Sequence, residues 1–149
     1  MSLYKPQIKN LIERTLAEIN LYSPSAVNLL LGTLAQESLF GKYLRQLNNG
    51  PACGFFQMEK PTFDWLKEQF KGKYGVDNIT FEDLEWNIKS AIIMCRLRYL
   101  IVPETLPTAD DVEALAQYWK KYYNTIYGSG TIEEFKKHYK EFVVDGTFT

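Results

Sequence analysis

The sequence predicts a mainly α fold of six or seven short helices, and three observations carry that reading. Apolar residues recur at spacings of three and four along most of the chain. The stripes are separated by Pro, Gly and hydroxyl capping residues rather than by strand-like alternation. The 149 residues are 46% hydrophobic and 23% charged, enough to bury one sizeable core in a single domain spanning 1–149.

The first stripe is Ile8, Leu11, Ile12, Leu16 and Ile19. Ser23-Pro24 then reads as a helix start, a capping hydroxyl followed by proline in the first turn. The second helix carries Val27, Leu30, Leu31 and Leu34 and is expected to run to about Phe40, with Gly41 as its stop. Gly32 inside it marks close packing. Residues 42–60, with Gly50, Pro51 and Gly54, have little helical period and read as a loop or a short irregular, β-like element. Pro61-Thr62 opens a third helix with Phe63, Leu66 and Phe70 inward, broken by Gly72 and Gly75. Thr80 to Asp83 resembles a capping box with Asp in place of Glu or Gln, ahead of one helix with Leu84, Ile88, Ile92, Cys95 and Tyr99 on a face. Thr108 is a cap for the next helix, which starts acidic at Asp110-Asp111 and carries Val112, Leu115, Trp119 and Tyr122. Gly128-Ser129-Gly130 reads as a flexible break, and Thr131 with Glu134 as a capping box before Phe135, Tyr139 and Phe142.

Charge and cysteine usage exclude several classes. The net charge is -1, so no basic footprint points to nucleic acid. Cys53 and Cys95 make no disulfide framework, and with His138 the only histidine the ligand count is too low for a Cys/His metal site. The N-terminus has no cationic segment followed by an apolar run, and no stretch approaches the roughly 20 residues needed to span a bilayer. A chain made in the cytoplasm, without a signal peptide or membrane insertion, is the expectation.

Glu37 stands out chemically. It follows Leu29, Leu30, Leu31 and Leu34, and on an ideal helix it lies about 20° from Leu30 and about 60° from Leu34. An acid sharing an apolar face is partly desolvated, which raises its pKa and equips it to donate a proton. A surface Glu in the last helical turn is the plain alternative, and position alone leaves the two even. Gly54-Phe55-Phe56-Gln57-Met58 is a second compact signal: a glycine for a sharp turn, apolar walls, and an amide suited to sugar hydroxyls or an N-acetyl group.

The order Glu37-Ser38, Gly54-Phe55-Phe56-Gln57-Met58, Pro61-Thr62 resembles the Glu-Ser … Gly-Leu-Met-Gln … Pro-x-Thr series of soluble lytic transglycosylases, members of the lysozyme-like superfamily. Asn87-Ile88-x-x-Ala91 is similar to that family's Asn-Ile-x-x-Gly helix start, and Leu115-Ala116-Gln117-Tyr118 to its Leu-Ala-x-Tyr-Asn segment. The resemblance spans roughly residues 25–125 and is strongest to phage or prophage forms.

It implies a lysozyme-like fold that cleaves the MurNAc–GlcNAc β-1,4 bond of peptidoglycan glycan strands, with no metal or cofactor. Glu37 would be the single catalytic acid/base. Gln57 would contact the muramoyl unit, Phe56 and Met58 would line the cleft, Tyr118 would orient the Glu37 carboxylate, and Ser38 matches the motif as a substrate-side residue. Asn87 is expected to order its helix start. Trp119 stands where the family has Asn, and Tyr123-Asn124 one turn later is an alternative for that pair. The product would carry a 1,6-anhydro end. Paired-carboxylate hydrolysis needs a second acid roughly 5–9.5 Å away; Glu59 and Asp64 are the nearest downstream, and neither lies in a recognisable motif. A muramidase and a non-catalytic virion or wall-binding protein are the alternatives, and virion proteins are possible partners. The site of action would be the bacterial wall, reached with the virion or through holin release.

Overall fold

A computed structural model describes residues 3–45, 50–126 and 128–145 and shows a mainly α architecture. The helices are α1 (Lys5–Glu18), α2 (Pro24–Ser38), α3 (Lys60–Gln69), α4 (Asp83–Trp86), α5 (Ile88–Leu100), α6 (Val112–Trp119) and α7 (Ile132–His138). A 3-10 turn lies at Val76–Asn78, and π-helical turns extend α6 over Lys120–Asn124 and α7 over Tyr139–Val144. Among the described residues no helix is long and apolar enough to cross a membrane.

Helix α2 is the centre of the fold, and its sequence explains why. Leu29, Leu30, Leu31, Gly32, Thr33, Leu34 and Ala35 are all buried, so the helix is apolar around most of its circumference. Ser23 Oγ accepts from Ala26 N–H at 3.0 Å, the cap that the Ser-Pro pair predicts. Gly32 is where α7 approaches: a Cβ there would lie 2.3 Å from Phe135 Cζ. The one buried hydroxyl in this stretch, Thr33, donates to Leu29 O or shares a 2.8 Å hydrogen bond with Tyr99 Oη.

The end of α2 departs from expectation. The helix stops at Ser38, not near Phe40, because Leu39 (φ 49°) and Phe40 (φ 58°) turn left-handed before Gly41 does (φ 86°). Two consecutive non-glycine residues in that region store strain of about 1–3 kcal/mol each. Burial of Phe40, stacked on Phe142 at 5.9 Å, offsets it.

The glycine-containing loop is β-like over a very short span. Cys53 and Met58 exchange both backbone hydrogen bonds (2.9 and 3.1 Å), so Gly54 to Gln57 form the turn between them. Residues 46–49 of the predicted loop lie outside the described residues.

Three sequence expectations need correcting. The stripe from Leu84 to Tyr99 is two helices, because Asn87 leaves helical geometry (φ -103°, ψ 94°) and caps α5 by accepting from Ser90 N–H at 3.1 Å. Its role at a helix start is as predicted. Asp111, not Thr108, caps α6, since its carboxylate accepts from Ala114 N–H at 3.0 Å. Gly128-Ser129-Gly130 is no free break: Lys120 Nζ donates to Asn124 Oδ1, Gly128 O and Gly130 O. The Thr131–Glu134 capping box is formed as expected, and so is the reciprocal Thr80–Asp83 pair.

Candidate active site

The last turn of α2 brings Glu37 to the floor of an open cleft of about 550 Å³. The turn at Gly54 brings Gln57 to the same cleft, and the π-helical turn after α6 brings Tyr123 and Asn124. The sequence-predicted pair Glu37 and Gln57 therefore share one hollow despite lying 20 positions apart.

Glu37 is partly buried. Burial pushes its carboxyl up from 4.5 to about 7, and a hydrogen bond from Trp119 pulls the other way. That bond runs from the indole Nε1–H to Glu37 Oε2 at 2.9 Å. The surroundings keep the site low in charge. Cys95, Tyr99 and Tyr123 are pushed well above their ordinary values by burial, so all three are neutral near pH 7. The negative end of the α2 dipole also disfavours a carboxylate here. A group poised near 7 is suited to give a proton and take one back.

Gln57 sits at φ 50° in a left-handed conformation set by the turn. Its Nε2 donates to Gly54 O at 2.8 Å and Tyr43 O at 3.4 Å. Both partners are carbonyls, so the nitrogen must point to them, and no described residue donates to the amide oxygen. That oxygen is left as an acceptor for a hydroxyl or amide N–H in the cleft. Gly54 is required for this placement: at φ 89°, a Cβ would lie 2.0 Å from Leu84 O. Phe55 N–H donates to that same carbonyl at 3.2 Å, which locks the turn onto α4.

Four predicted site residues have other positions. Tyr118 does not orient Glu37: its hydroxyl donates to Glu104 O at 3.0 Å, and its ring packs on Tyr99 and Tyr122. Neighbouring positions on a helix point about 100° apart, and it is Trp119 that faces the acid. Ser38 is fully buried; its Oγ donates to Leu34 O (3.2 Å) and accepts from Gly41 N–H (2.9 Å), so it terminates α2. Phe56, like Phe55, is buried rather than a wall of the main cleft, and borders an interior hollow with Cys53, Leu84, Ala91 and Met94. Met58 is also buried; it borders the same interior hollow and a small one of about 70 Å³ beside the cleft. The Gly-Phe-Phe-Gln-Met segment thus anchors with its apolar side chains and offers its amide to the cleft.

Three further residues belong to the cleft: the sequence offered Tyr123 as a stand-in for the family pair and Glu59 as a nearby acid outside any motif, and it gave no sign of Arg98. Tyr123 lines the cleft and its hydroxyl donates to Phe56 O at 2.7 Å, tying the glutamine loop to the π-helical turn. Glu59, exposed at the start of α3, lines the same cleft as Glu37, whereas Asp64 is ion-paired with Lys60 at 2.9 Å. Arg98 of α5 completes this wall. Its spacing of four from Met94 and three from Cys95, both apolar, gave no signal of a cleft, because α5 is buried on most sides.

No family model, curated protein or solved structure matches this chain.

Proposed function

We propose that the chain is a peptidoglycan lytic transglycosylase with Glu37 as its single catalytic acid and base. The observation that carries the reading is the acid itself: a carboxyl raised to about 7 at the floor of an open cleft and held by Trp119. Protonated Glu37 gives its proton to the leaving glycosidic oxygen as the C–O bond breaks. The resulting carboxylate then takes the proton of the muramoyl 6-hydroxyl. That oxygen attacks its own anomeric carbon, closes a 1,6-anhydro ring and returns Glu37 to its acid form. No water is consumed. Trp119 Nε1–H stabilises the carboxylate between the two steps, and the free amide oxygen of Gln57 accepts from an N-acetyl N–H or a hydroxyl of the bound sugar.

The test is incubation with purified murein sacculi and mass analysis of soluble products. Anhydromuropeptides are expected, with release lowered about 10²–10⁴-fold in Glu37→Gln. Cleavage that survives Glu37→Gln removes the assignment. Binding to sacculi with no soluble release would leave a wall-binding protein.

A hydrolytic reading has one observation in its favour: Glu59 shares the cleft with Glu37. Paired-carboxylate hydrolysis would give reducing muropeptides, and Glu59→Gln would then abolish release. Under transglycosylation the Glu59→Gln protein still forms anhydro ends.

A further inference from the structure

The cleft does not end at the catalytic acid. Thr62 and Arg98 border the main cleft, the 70 Å³ hollow beside it, and a groove of about 320 Å³ between α3 and α5. The three spaces therefore share a border, a saddle formed by these two side chains. Beyond the saddle the groove is walled by Pro61, Trp65 and Ile101.

Arg98 differs from the other cations near the cleft. Arg45 is ion-paired with Glu85 at 2.6 Å, and Lys120 is held by three oxygens. Arg98 is partly buried, yet forms no hydrogen bond or ion pair among the described residues. A guanidinium that borders these hollows without a protein partner is open to a ligand, and its forked donors match a carboxylate. Trp65 is the complementary feature: the residue is 48% exposed, with no ring partner among the described residues. A side branch of a polymer leaving the main cleft over this saddle meets a cation first and an apolar plane second.

We propose that the α3–α5 groove binds the acidic peptide branch of peptidoglycan, with Arg98 pairing to a peptide carboxylate and Trp65 packing on the peptide's methyl-bearing residues. This rests on the peptidoglycan reading of the main cleft. In that polymer the muramoyl residue carries both the bond to be cut and a short peptide that alternates small apolar residues with free carboxylates. Glu37 and Gln57 would then read the glycan, and Arg98 with Trp65 the branch.

The test uses the Glu37→Gln chain, so that ligand survives. Its affinity is measured by calorimetry for a soluble disaccharide-tetrapeptide and for the same disaccharide after enzymatic removal of the peptide. The peptide is expected to tighten binding about tenfold at low salt, and the gain is expected to fall at high salt. Adding Arg98→Gln should remove most of that gain, a loss several-fold larger than any it causes for the bare disaccharide, since Arg98 also borders the main cleft. Trp65→Ala, at an exposed position that puts folding at little risk, should lower only the peptide-dependent part. Equal affinity for the two ligands, no binding of either, or an Arg98→Gln loss that is the same for both would overturn the proposal. Cleavage of sacculi and of peptide-stripped strands by the unaltered chain tests the enzyme reading separately. If neither is cut, that reading falls while the binding ratio still decides the groove.

Discussion

The indole N–H of Trp119 donates to Glu37 Oε2 at 2.9 Å, joining two residues 82 positions apart. One partner lies in the last turn of α2 and the other ends α6, so the acid is held between two helix termini. The bond stabilises the charged form of a group that burial drives toward neutrality. Trp119→Phe removes the donor. The Glu37 pKa should rise by about one unit further above 7, from the value of a hydrogen bond to a charged group. The high-pH limb of activity should move up correspondingly while the maximal rate falls. A pH–rate profile measures both, and an unmoved limb would show that Trp119 only packs.

Stability should depend on pH through the same carboxyl. The folded chain holds the Glu37 proton up to about 7, whereas the unfolded chain loses it near 4.5. The contribution is therefore fully present below about 4.5, declines as pH rises to about 7, and is absent above. Across that window the difference amounts to about 3 kcal/mol. Gln does not titrate there, so the stability of Glu37→Gln relative to the unaltered chain should grow by that amount between pH 4 and pH 8. Urea titrations of both proteins at the two pH values would read it.

Tyr118 and Tyr123 offer a matched comparison. Each hydroxyl donates to one backbone carbonyl, Glu104 O and Phe56 O respectively. Each Tyr→Phe change should cost about 1 kcal/mol of stability. Only Tyr123 ties down the loop that presents Gln57. Tyr123→Phe should therefore lower kcat about fivefold, the rate equivalent of that bond, while Tyr118→Phe stays within about twofold of the unaltered protein. A larger effect at Tyr118 would restore it as the acid's orienting residue.

Glycines supply a second contrast. Gly54 and Gly72 both have positive φ, 89° and 77°. At Gly72 nothing lies within 4 Å of an added Cβ, whereas at Gly54 it meets the Leu84 backbone. Gly72→Ala should cost about 1 kcal/mol of strain and leave cleavage unchanged. Gly54→Ala should destabilise by more than about 3 kcal/mol, since strain and a backbone clash add, and should abolish activity. Thermal melts and sacculus turbidity assays on the pair would decide it.

These residues also show what could be read from the chain alone. Local chemistry was legible: Ser23-Pro24, Thr131 with Glu134, and the apolar run ending in Glu37 each specify their structure within a few positions. Gly32 and Gly54 were legible as close approaches, though not what approaches them. Long-range orientation was not legible. Tyr118 and Trp119 are adjacent, and only the packing of α6 against α2 decides which reaches the acid. The π-helical turn after Trp119, closed by Thr125 N–H to Lys120 O at 2.7 Å, has no sequence signature here, yet it carries Tyr123 and Asn124 to the cleft. The break at Asn87 was hidden because Leu84 and Ile88 continue a helical spacing across it. Phe56 and Met58 show the remaining ambiguity, since an apolar residue beside a polar one serves a core as readily as a cleft.

Phe135 touches neither the cleft nor the acid, yet it bears on both. Its ring fills the space left by Gly32 and lies 5.3 Å from the ring of Trp119. One side chain therefore sets how far the acid's helix and the acid's hydrogen-bond donor stand apart. The last described residue bordering the cleft is Ser129, before Phe135 in the chain. A polypeptide ending there would retain the cleft-lining residues and lose the spacer that positions two of the site's supports. The functional unit is thus longer than the set of residues facing the ligand, and its boundary is drawn by mechanical support rather than by contact.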